Sequence, residues 1–157
     1  MFNVNEVFEI AEQIERNGKA FYTKAASIAK DEESRKFLQD LADMEDDHEK
    51  YFIALKKRLD SPQDDPLDRD GVALSYIQAM VDGEVFSNLT PMAEALTGKE
   101  SMDDIRKLAI EFEKNTVVYF ASLKNAMRRP EDKKAIEDLV DEELRHVVIL
   151  TNWNAPE

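Results

Sequence analysis

Apolar residues return every three or four positions through four long stretches of this 157-residue chain, the period of an amphipathic helix. The first stretch, about 3–30, puts Val7, Ile10, Ala11, Ile14, Gly18, Phe21, Tyr22 and Ala25 on one stripe, with Asn3 or Asn5 as N-cap. The second, about 32–59, carries Phe37, Leu38, Leu41, Phe52 and Leu55. The pattern then lapses at Asp60-Ser61-Pro62 and on to Gly71, a run whose prolines and glycine cannot continue a helix. This opens a connection over about 60–100, within which 72–82 and 91–96 read as short helices stopped by Gly83 and Gly98. The third long helix, about 101–128, starts at Ser101 with Asp103 and Asp104 favouring the dipole of its first turn, and carries Ile105, Leu108, Ala109, Phe112, Thr116, Phe120 and Leu123. Pro130 suits the first position of a fourth, about 130–150, with Ile136, Leu139, Val140, Val147 and Leu150.

Six residues interrupt these apolar stripes with chemistry. Both histidines, His48 and His146, follow a glutamate by three positions, and Glu45 and Glu143 each follow another glutamate, Glu15 and Glu113, by thirty. Every member of the first set recurs 98 residues later. Positions i and i+3 of a helix lie about 60° apart and one turn up, so each Glu-x-x-His pair presents a carboxylate beside an imidazole. The same offset aligns Ala11 with Ala109, Asn17 with Asn115, Lys36 with Lys134, Asp40 with Asp138 and Leu41 with Leu139. The chain therefore reads as two copies of one helical hairpin carrying a duplicated metal-ligand set. Short turns make each hairpin antiparallel, and the long middle connection carries the chain back across the bundle. The expected architecture is all-α, a single four-helix bundle domain over 1–157 with one long crossover.

Composition narrows the function. A net charge of −13 disfavours a nucleic-acid partner, which calls for clustered Lys and Arg. The absence of cysteine removes disulfides, thiolate-bound iron and thiol chemistry, so electrons must come from another molecule. The start, Met1 to Glu6, has no basic region before an apolar run, and no stretch approaches the uncharged length of a membrane span. A cytoplasmic location without membrane association is the expectation. Most of the 34 acidic residues are a solvated surface, Glu12, Asp43, Glu49, Glu111 and Asp141 among them. Four facing glutamates are another matter, because they need cations or bound protons.

The pattern Glu15-x-x-Gly18-x-x-Phe21-Tyr22, with Glu45-x-x-His48, Glu113 and Glu143-x-x-His146, resembles the rubrerythrin branch of the ferritin-like superfamily over most of the chain outside the crossover. That resemblance implies a ferritin-like bundle in which Glu15 and Glu113 are single carboxylate ligands, Glu45 and Glu143 bridge two metals, and His48 and His146 cap one metal each. It implies two iron ions, with no catalytic residue separate from the ligands. Manganese suits the same oxygen-rich set, and zinc competes for it on affinity. The implied activity is reduction of peroxide or dioxygen, or oxidation of ferrous iron, with an external electron-donor protein and a homodimeric assembly. Two departures count against rapid peroxidase turnover. Rubrerythrins usually place a further glutamate one turn beyond the third-helix ligand, where this chain has Thr116, matched by Gly18 in the first repeat; and the family's cysteine-ligated rubredoxin domain has no counterpart here. A non-catalytic iron-handling protein, or a helical interaction module with a vestigial site, are the alternatives.

Residues around the set carry weaker expectations. Tyr22 and Phe120 stand seven positions after Glu15 and Glu113, so Tyr22 either hydrogen-bonds a ligand carboxylate or simply packs. Gly18 leaves room for a diatomic ligand or for close helix contact. Glu142 either accepts from His48 or faces solvent, whereas Met44, its match by the repeat, cannot do the same for His146. Trp153 and the tail to Glu157 cover the bundle end or a subunit contact.

Overall fold

The computed structural model describes residues 2–60, 63–83 and 87–156; Met1, Ser61, Pro62 and Glu157, named above, lie outside the described residues. Four long helices form the bundle: α1 (Val4–Ile28), α2 (Glu32–Leu59), α4 (Met102–Ala126) and α5 (Pro130–Asn152), while α3 (Val72–Asp82) lies in the crossover. No strand occurs among the described residues.

Local chemistry sets the helix starts. Of the two candidate caps for α1 it is Asn3 that caps, accepting from the Glu6 amide while Glu6 reaches back, and Ser101 with Asp104 repeats this reciprocal box on α4. Asp31 accepts from the Ser34 amide at the start of α2, and Pro130 occupies the first turn of α5. In the crossover Gly83 is the C-cap of α3, but the second short element is a 3₁₀ turn, Met92–Ala95, that ends at Leu96. Gly98 is not its stop. It lies beyond, at φ +90°, where the side chain of Glu100 takes the amides of Thr97 and Gly98. Another 3₁₀ turn, Ser87–Leu89, packs against α1 and α4. The crossover is stitched to the α4–α5 turn by backbone hydrogen bonds from Asp68 N to Ala126 O (2.7 Å) and from Arg128 N to Pro66 O (2.8 Å).

The core consists of two apolar clusters with a polar layer between them. One holds Val7, Phe8, Ala11, Ile14, Phe52, Leu55, Phe112, Phe120, Ile136 and Leu139 among others; the second holds Phe21, Tyr22, Ala25, Leu38, Leu41, Ile105, Ala109 and Leu150. Along α1, α2 and α5 the chain passes from one cluster to the other through a buried glutamate, Glu15, Glu45 or Glu143, and on α4 the buried Glu113 directly follows Phe112, where the first cluster begins. Burial of a side chain the size of Phe or Leu contributes about 1.5–3 kcal/mol, so the clusters clamp the polar layer that would otherwise oppose folding. Trp153 stacks on Phe37, ring centroids 4.5 Å apart, and packs with Ala155 on the second cluster, so the tail covers that end of the bundle.

One expected surface charge is instead buried. Glu12 is 5% exposed and pairs with Lys56 Nζ at 2.9 Å across the α1–α2 seam. It sits one step off the apolar stripe, where a neighbouring helix supplies a cation and removes water.

Candidate metal centre

All six residues of the duplicated pattern meet at mid-bundle. Glu15, Glu45, His48 and Glu143 each offer a ligand atom within 4.8 Å of the others, and so do Glu45, Glu113, Glu143 and His146. Glu45 and Glu143 belong to both groups. The four glutamates are fully buried, the histidines nearly so, and the two imidazole rings lie almost parallel with centroids 5.6 Å apart.

The polar atoms at this centre are poorly satisfied. Both oxygens of Glu15, both of Glu45, Glu113 Oε2, Glu143 Oε2 and His146 Nδ1 are buried without a hydrogen-bond partner. Such orphans are rare in a folded interior and costly when they cluster. Cations between these atoms would satisfy all of them at once, so the residues present fit a metal site.

The electrostatics agree. Burial, with the charge of Glu143, raises the carboxyls of Glu15 and Glu45 well above their ordinary range, and raises Glu113 to about 7. Glu143 goes the other way: burial would raise it, but the adjacent Glu113 carboxyl, the His146 ring 3.2 Å away and the hydrogen bond from His48 hold it well below. Burial disfavours charge on His48, yet its 2.8 Å bond from Nδ1 to Glu143 and the nearby carboxylates carry it up to about 10. His146 reaches about 12 against the same opposition, through Glu113, Glu143 and Glu45. Without metal, protons occupy positions that suit cations.

Neighbouring side chains resolve the open alternatives. Tyr22 Oη donates to Glu113 Oε1 at 2.7 Å, across from α1 to α4, and burial with the Glu113 charge keeps the phenol protonated. Glu142 Oε2 lies 2.5 Å from His48 Nε2. Gly18 makes a close contact and leaves no room for a ligand: a Cβ there would meet Phe112 Cε1 at 3.0 Å and the Glu45 carboxyl at 3.3 Å.

Asn88 was missed by sequence reading. Its Nδ2 donates to Phe112 O (2.7 Å) and Thr116 Oγ1 (2.8 Å), and its backbone carbonyl accepts from Asn17 Nδ2 (2.8 Å). It thus fills the space beside Thr116, and it carries no periodic signal because it lies in a single 3₁₀ turn. Beside His48 a surface cavity of ≈ 400 Å³, lined by Asp47, Tyr51, Asp138 and Glu142, opens between α2 and α5.

A model of the rubrerythrin family matches residues 6–153. The chain belongs to the rubrerythrin family. Among solved structures, a ferritin-like diiron-carboxylate protein of Thermotoga maritima is similar to this rubrerythrin-family chain with a TM-score of 0.69 and 16% identity, over 96% of this chain and 93% of that one. Comparison with curated proteins gives no match. At 16% identity the structural likeness establishes the ferritin-like fold. The family match, with the buried Glu/His cluster, makes the mid-bundle site a metal site. No helix among the described residues is long and apolar enough to cross a membrane.

Proposed function

We propose that Glu15, Glu45, His48, Glu113, Glu143 and His146 hold two iron ions, and that the chain is an oxidoreductase that reduces peroxide or dioxygen, or oxidises ferrous iron, with an external electron-donor protein. One observation carries this reading: buried carboxylate oxygens with no donor, contributed by four helices, converge in two overlapping groups. The shared members, Glu45 and Glu143, are the bridging candidates; Glu15 with His48, and Glu113 with His146, are the terminal ones. A ferrous pair supplies two electrons, one from each ion, to a small oxidant. Manganese or zinc would fit the same donors.

The remaining chemistry belongs to the protein. Loading displaces protons from His48, His146 and the raised carboxylates, so metal binding strengthens as pH rises. Tyr22 keeps its proton and orients Glu113. The apolar clusters above and below exclude water, and the cavity beside His48 gives small reactants a way in. Since the chain has no cysteine, reducing equivalents come from outside it.

A specific observation favours a second reading, iron handling without turnover. The place of the family's additional carboxylate is held by Thr116, which Asn88 ties down. Iron content per chain after anaerobic ferrous loading and desalting, followed by stoichiometric peroxide or dioxygen, separates the readings. Two irons with prompt oxidation are expected for the oxidoreductase, and two irons inert to both oxidants for iron handling. Fewer than two would overturn both and leave a helical module with a vestigial ligand set.

A further inference from the structure

The duplication makes the two halves of the centre equivalent in ligand type, but the residues standing behind the ligands differ. His48 has a carboxylate on its outer nitrogen, Glu142 at 2.5 Å, which holds a proton on Nε2 and directs Nδ1 toward Glu15 and Glu143. The residue matching Glu142 by the 98-residue repeat is Met44, which offers no comparable acceptor. Among the described residues His146 meets carboxylates only through Nδ1, at 3.2–3.5 Å from Glu45, Glu113 and Glu143. The single carboxylates differ in the same sense. Glu113 shares its Oε1 with the Tyr22 hydroxyl, whereas both oxygens of Glu15 are unpartnered; the match to Tyr22 by the repeat is Phe120, which has nothing to donate.

Both differences make the Glu15–His48 side the stronger donor to a cation. A carboxylate behind an imidazole raises its basicity and adds negative charge, while a donated hydrogen bond withdraws charge from a carboxylate. Resting on the proposed two-metal reading, we infer that the centre loads in order: the subsite of Glu15 and His48 takes the first cation, that of Glu113 and His146 the second, and Glu142 is the positioning residue that sets the order. The acidic cavity opens beside the same histidine, so the first-filled subsite is also the nearer to solvent.

Anaerobic calorimetric titration with ferrous ion alone tests this. Wild type is expected to bind two ions in two resolved steps. Glu142→Gln, at a half-exposed position, should weaken the first step by about 10- to 100-fold and leave the second nearly unchanged. Met44→Glu, also at an exposed position, should tighten the second step and narrow the gap. Two ions bound with one indistinguishable affinity would overturn the ordered loading and leave the two-metal reading intact. A Glu142→Gln change that weakens both steps equally, or neither, would overturn the role of Glu142, as would a gap that Met44→Glu leaves unchanged. Total uptake below two ions would instead overturn the reading beneath the inference.

Discussion

Glu45 and Glu143 occupy the same place in the two hairpins, and both face both candidate metal positions, yet their charges are regulated in opposite directions. Glu45 is surrounded by carboxylates, with burial and the charges of Glu143 and Glu15 holding it protonated. Glu143 lies between both histidines and stays ionised despite burial. Duplication fixes where a side chain projects, whereas the contacts at its tip fix which protonation state is stable there.

Removing these groups should break that comparison most sharply. In metal-free protein, Glu143→Ala takes from both buried imidazolium groups the ionised carboxylate they share, leaving His48 to Glu142 and His146 to Glu113 and Glu45, and should cost about 3–5 kcal/mol, whereas Glu45→Ala relieves like-charge crowding and should be neutral or stabilising. Chemical denaturation of both variants checks this, and equal losses would contradict the opposite charge assignments. Both substitutions should abolish paired-metal binding. Apolar positions offer the control. Phe52 and Leu150 match by the repeat and are fully buried, so each truncation to Ala should cost roughly 2–5 kcal/mol with no dependence on hairpin.

Much of this was legible in the sequence. The spacing of Glu15, Glu45 and His48 and its recurrence places six ligand-type residues on inward helical faces before any coordinate is known. Asn3, Asp31, Ser101 and Pro130 act within a turn of themselves, and local signals of that kind survive any packing. Glu12 did not read correctly because its burial depends on Lys56, 44 positions away, and Asn88 could not be read because its role is created by packing between α1 and α4.

The same groups dictate a pH dependence. His48 and His146 are raised to about 10 and about 12 in the fold, so their stabilisation of metal-free protein is complete below the free histidine value and is lost as pH rises through those values. Glu113, raised to about 7, contributes likewise below the ordinary carboxylate range and loses its contribution as pH rises through about 7. Glu143, held low, contributes above that range and loses its share in acid. The Tm of metal-free protein should therefore decline from mildly acidic pH toward pH 10, and the histidine part of the decline should shrink in Glu143→Ala, because Glu142, Glu45 and Glu113 still face the imidazoles. A Tm that is flat or rising across that window would contradict the assignment.

Smaller effects probe the position where one hairpin has Gly18 and the other Thr116. Asn88→Ala removes the donor to Thr116 Oγ1 and one of the donors to the Phe112 carbonyl, which keeps the Thr116 hydroxyl, and should cost about 1–3 kcal/mol by denaturation. Gly18→Ala sets a helix-propensity gain of up to ~1 kcal/mol against crowding of Phe112 and Glu45. A net loss near 1 kcal/mol, with weaker metal binding, is expected; a stabilised variant with unchanged metal uptake would show that the close contact yields freely.

By itself the sequence determined the helical class, the two hairpins and the residues that face inward, because helical period and capping act over a few residues. The tertiary structure alone decided which carboxylate stays charged, which histidine is backed by Glu142, that Tyr22 serves Glu113, and that Asn88 seals the space beside Thr116. Those outcomes depend on distances of a few ångströms between segments far apart in the chain, where burial magnifies each charge and each unsatisfied oxygen.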